Sequence, residues 1–146
     1  MKHSLRHFLA TIYYRGNKYL ENYNNDFPTF HSNDDTRTPV QILNHINGLL
    51  MYSRSFLEEV INTYPPTTSF DEEITRFRKE IQKLDNAIIS SEINNYKIYD
   101  QILQGPLADI MLHIGVLSMV RRIMGNPADD YENYMNAPIE EGLFEY

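Results

Sequence analysis

The sequence predicts an all-α protein, an antiparallel four-helix bundle with an irregular C-terminal segment. Three observations carry this. Apolar residues recur at helical spacing along most of the chain, no stretch alternates like a strand bounded by turns, and sharp helix-start signals separate the periodic segments. Four helices of this length in 146 residues make one bundle and one domain, 1–146.

Leu5, Phe8, Leu9, Ile12, Gly16 and Leu20 follow the i, i+3, i+4 pattern and predict a first helix over about 4–23. The Asn/Asp-rich stretch 24–37, with Pro28, is then a long loop, and loops of that length tend to be functional. Thr38, Pro39 and Gln41 form a capping box with proline at the first helical position. The helix they open carries Ile42, Leu43, Ile46, Leu49, Leu50, Phe56, Leu57, Val60 and Ile61, and the Tyr-Pro-Pro run at 64–66 ends it. Ser69 and Glu72 open the third helix with a second capping box, and Ile74, Phe77, Ile81, Leu84 and Ile88 alternate steps of three and four, as a bundle seam does. The next stretch reads as a turn and a helical approach interrupted at Gly105. The fourth helix is expected to begin at Pro106, with Leu107, Ile110, Ile114, Leu117 and Met124 inward and Gly125 as C-terminal cap. Arg121 and Arg122 favour the negative end of its dipole. The chain after it shows no sustained period and is expected to wrap the bundle.

Composition narrows the chemistry. Without cysteine there is no thiolate ligand and no cysteine nucleophile. The net charge of −7 is concentrated after Arg122, where Asp129, Asp130, Glu132, Glu140, Glu141 and Glu145 stand with no Lys or Arg. Neither that tail nor the near-neutral body offers the cationic field a phosphate backbone needs, so no nucleic-acid partner is expected. The uncharged stretch at 110–120 is far short of the ~20 apolar residues of a bilayer crossing, and no cleavable leader is visible. A cytoplasmic protein with no membrane partner is expected, acting on a small molecule or another protein.

Asp109 and His113 stand one helical turn apart on the fourth helix, and His45 shares the inward face of the second. Three such donors on two facing helices make a two-His, one-carboxylate metal site with positions left for water or substrate. Two simpler roles stand beside this one. Asp109 fits the first turn of a helix that starts at Pro106, and Asp109 can pair directly with His45 in a buried salt bridge. His3 and His7 near the chain start, and His31 in the loop, read as solvated or loop-packing residues. No Glu-x-x-His, His-Glu-x-x-His, Gly-x-Ser-x-Gly or phosphate-cradling Gly-rich loop is present. Apolar residues expected outside the seam, such as Met51 and Met111, make a homodimer plausible.

The stretches RTPVQILNHINGLL and GPLADIMLHIGVLSMVRRIMGNP resemble the DinB/YfiT-like superfamily of bacterial four-helix-bundle proteins. FPTF before the second helix, EEITRFRKE in the third and ENYMNAPIEEG after the fourth match in order, so the resemblance spans most of the chain. It implies a divalent ion, Zn, Ni, Fe or Mn, held by His45, Asp109 and His113, with Asp109 where members of the family usually carry a histidine. The activity it implies is metal-dependent, a transferase using a low-molecular-weight thiol or a hydrolase, with substrate-facing residues from the first helix and the loop 24–37. The competing expectation is a non-catalytic bundle that binds a ligand or a protein partner.

Overall fold

The computed structural model describes residues 1–60, 66–128 and 134–144, which are helical or irregular, with no strand among them. Helix α1 is Lys2–Tyr19, α2 Pro39–Ser55, α3 Phe70–Ser90, α4 Tyr96–Ile102 and α5 Ala108–Ile123. A π-helical segment, Leu103–Leu107, joins α4 to α5, so these two form one continuous helix, Tyr96–Ile123. Two 3-10 turns, Phe27–Thr29 and Tyr134–Asn136, complete the described elements. Helix α1 packs on α3 and α5, and α2 packs on the same two. The shared core includes Leu9, Ile12, Leu43, Leu50, Phe77, Ile81, Leu84, Ile110 and Leu117.

Each long helix starts or stops for a local reason. Thr38 and Gln41 make both halves of the capping box on α2: the Thr38 hydroxyl accepts from the Gln41 amide, and the Gln41 side chain accepts from the Thr38 N–H at 2.9 Å. On α3 one half forms. Ser69 accepts from the Glu72 amide at 3.3 Å, whereas the Glu72 carboxylate takes the Thr67 hydroxyl at 2.8 Å in place of the returning bond. Helix α2 stops at Ser55, earlier than the apolar pattern implies, where the Ser53 and Ser55 hydroxyls donate to the carbonyls of Leu49 and Tyr52. Phe56 and Leu57 still pack against the core beyond the helix end, while Ile61 and Tyr64 lie outside the described residues. Gly125 ends α5 at φ 71°, with its amide bonded to the Arg122 carbonyl and the Asn126 amide bonded to that of Arg121, a Schellman pair.

The expected break at Gly105 is absent, because the last helix starts nine residues earlier than Gly105, capped by the Asn95 side chain on the Lys97 amide. Proline has no N–H to give and its ring crowds the carbonyl one turn back; a π-helical turn widens the backbone there, and the helix passes Pro106 without ending. The joined helix, 28 residues, is long and apolar enough by length and composition to cross a membrane, which the 110–120 stretch alone did not reveal. Its Ile102, Leu107, Ile110, Ile114 and Leu117 are core residues of this fold.

Arg121 does not serve its own helix. It is 2 % exposed, and its guanidinium donates to the carbonyls of Lys18, Glu21, Asn22 and Asn126, joining the end of α1 to the turn after α5. Phe27 lies beneath it, buried edge-on against Phe70, so the polar loop is anchored by an aromatic residue.

Candidate metal centre

His45, Asp109 and His113 come together at the α2–α5 interface. The Nε2 atoms of His45 and His113 each lie 3.6 Å from the same oxygen, Asp109 Oδ2. The two imidazole rings stand nearly perpendicular, 85° apart, with centroids at 4.7 Å. One donor atom from each of the three residues falls within 4.8 Å of the other two, so the group could hold a metal ion. A separation of 3.6 Å is too long for a hydrogen bond. It is close to the edge of a tetrahedron whose centre sits about 2.1 Å from each donor, roughly 3.4 Å.

Two sequence-based alternatives are corrected by this geometry. Asp109 is not a helix-start acid, because the helix begins at Tyr96 and Asp109 lies three turns inside it. Nor is it buried: the side chains of His45, Asp109 and His113 are 35 %, 44 % and 19 % exposed, so the trio opens to solvent and no deep salt bridge exists here. Burial pushes the His113 imidazole below its ordinary value; Asp109 opposes that, and His45 and Arg37 add to the lowering. This lowering favours the neutral imidazole, the form that can offer a lone pair to a cation.

The backbone around His45 is fixed by a buried acid that the sequence pattern passed over. Glu73 of α3 is fully buried; its carboxylate accepts from Asn44 at 3.1 Å, Asn47 at 2.7 Å, Arg76 at 3.1 Å and the Thr67 amide at 3.3 Å. Asn44 and Asn47 bracket His45, so this hub clamps the ligand-bearing turn of α2 to α3. The available signal was the position of Glu73 beside the seam residue Ile74, a place where an unpaired acid would be costly.

A cleft of about 370 Å³ opens beside His113. The loop supplies Phe30, His31, Thr36 and Arg37, and α5 supplies Val116, Met119, Val120 and Ile123. The loop thus lines a cleft that holds His113, one of the three candidate ligands, and α1 does not line it; α1 borders a larger cavity of about 680 Å³ against the C-terminal segment, which none of the three candidate ligands line. His31 donates to the Asn33 carbonyl at 2.9 Å within the loop and lines the cleft with His113. Arg37 was not foreseen, though it is the one cation in the stretch 24–37. Met51 is buried in the core and Met111 packs against it; the exposed apolar residues of α5 are Leu112, Val116, Met119 and Ile123. Set against protein-family models, curated proteins and solved structures, the chain matches none of them.

Proposed function

We propose that the chain is a metal-dependent enzyme built on an antiparallel four-helix bundle of the DinB/YfiT-like type, with one divalent ion held by His45, Asp109 and His113. The observation that carries this is the pair of imidazole nitrogens, each 3.6 Å from one carboxylate oxygen and each too far to bond it. Two nitrogens and one oxygen suit Zn, Ni, Fe or Mn, and a bound ion would supply Lewis acidity, lowering the pKa of a water or thiol. The protein's own groups do the rest. Glu73 holds the His45 turn in place, the His113 imidazole is biased toward the neutral form that ligates, and the cleft walled by Arg37 and Val116 offers about 370 Å³ beside it for a small molecule. A small-molecule substrate, transferred to or from a low-molecular-weight thiol or hydrolysed, fits that cleft. A homodimer belongs to the same proposal, supported by the exposed α5 stripe, and so does a cytoplasmic location, which rests on the sequence alone.

Metal analysis of the untagged chain tests the site. About one divalent ion per chain is expected, lost in His45→Ala, with a chelator lowering the melting temperature of the parent and leaving the variant unmoved. A second reading, a non-catalytic bundle in which Asp109 pairs with both histidines, draws on the same contacts at 3.6 Å. It requires the opposite result: no ion in the parent chain and no effect of chelator.

A further inference from the structure

The cavity of about 680 Å³ between the end of α1 and the C-terminal segment has polar atoms in its wall that the fold itself leaves unused. Asn17 of α1 lines it and is 2 % exposed, yet neither its Nδ2 nor its Oδ1 has a hydrogen-bond partner among the described residues. One turn further along α1, Glu21 Oε1 is buried in the same wall and also without such a partner. Tyr13, one turn before, interacts with the Asn17 amide without reaching hydrogen-bond geometry, and its hydroxyl donates instead to the Phe144 carbonyl at 2.6 Å. Burial pushes the Glu21 carboxyl above its ordinary value, with Arg78 opposing. Taking these groups out of water unpaired is costly, and apolar side chains at the same places would avoid that cost. Their frame is fixed, because the Arg121 guanidinium donates to the carbonyls of Lys18, Glu21 and Asn22 and so fastens the end of α1. The unpaired groups are thus set in place before any ligand arrives.

An asparagine amide offers a donor and an acceptor side by side, and with both ends unpaired its complement is the same whichever way the amide is turned. That complement is a carbonyl next to an N–H, the edge of a cyclic amide, while the Glu21 oxygen is a further acceptor one turn away. Tyr14, Pro127, Pro138 and Ile139 supply flat or apolar surface, and Lys18 stands against Glu21 and Glu140 in the same wall, so neither sign of charge is favoured. We propose that this cavity binds a small, planar, uncharged cyclic amide through Asn17 and Glu21. The site shares no residue with the α2–α5 centre and needs no metal.

Uracil is the probe, and 1,3-dimethyluracil, which keeps the ring and both carbonyls and has no N–H, is its control. Each is titrated into the full chain with chelator present and followed by backbone amide chemical shifts. Uracil is expected to shift resonances over 13–22 and 138–143 saturably, and the dimethyl compound to bind about tenfold more weakly or less. In Asn17→Leu the uracil shifts should vanish while the melting temperature without ligand holds or rises, because the unpaired amide is gone; an asparagine needed by the fold would give a fall. Should Asn17→Leu not fold, Glu21→Leu, expected to weaken uracil about tenfold, takes its place. The proposal is overturned if uracil gives no saturable shifts in the parent chain, if the dimethyl compound binds as tightly, or if the shifts survive the substitution. Failure of the α2–α5 centre shows separately, in the metal analysis, and leaves this titration unchanged.

Discussion

At the scale of single residues, polar side chains decide where this fold can do chemistry. Glu73, Glu80, Asp85 and Arg121 are buried, and each is paired: Glu80 with Arg54 at 3.1 Å and Lys83 at 2.7 Å, Asp85 with Arg6, Arg121 with backbone carbonyls. The trio at the candidate centre differs in being partly open to solvent and joined only by contacts of 3.6 Å. His113 gives this a pH signature. Its value in the folded chain is lowered, so on acidification the unfolded chain takes up the proton first and the native state loses ground. In the presence of chelator the His113 contribution to the melting temperature should be lost as the pH falls below the ordinary histidine value of roughly 6.5. His113→Gln should show a shallower fall in the same melts; an identical slope would mean that His113 does not titrate in this window.

At the scale of elements, two glycines in helices separate packing from propensity. A Cβ on Gly16 of α1 would come within 2.9 Å of the Phe77 ring, which is buried and stacked on Tyr13 and cannot retreat. Gly48 of α2 has no atom within 4 Å of the same position. Alanine gains about 1 kcal/mol of helix propensity at either site, but overpacking costs about 1–3 kcal/mol at the first. Gly16→Ala should therefore destabilise the chain by up to about 2 kcal/mol, and Gly48→Ala stabilise it by about 0.5–1 kcal/mol, read by urea unfolding. The π-helical segment belongs to this scale as well. An extra residue in one turn rotates everything after it, and it lies just before Asp109 and His113.

At the scale of the whole molecule, the outward stripe of α5 matters most. Leu112, Val116, Met119 and Ile123 fall at alternating steps of four and three, are all exposed, and run beside the cleft. The proposed homodimer would pack this stripe against the same stripe of a second copy about a two-fold axis. Sedimentation should find a dimer that Leu112→Lys/Met119→Lys converts to a folded monomer; a parent chain that sediments as a monomer at all concentrations would remove the homodimer from the proposal.

Local pattern determined the all-helical class, most of the inward faces of the long helices and the caps at Thr38, Ser69 and Gly125, because those depend on neighbours three or four residues apart; it misplaced Met51, which is buried, and Val60, which lies beyond the end of α2. It also singled out His45, Asp109 and His113, since spacing of four puts two of them on one face and the apolar stripe locates the third. Tertiary structure decided what local pattern does not carry. Proline is absorbed in a wider turn here, between the core residues Ile102 and Leu107, and the last helix runs back to Tyr96, which takes Asp109 out of a first turn. The meeting of His3 and His7 with Glu141, more than 130 residues away, and the closing of Asn44 and Asn47 on Glu73 arise only when separate segments are brought to one place.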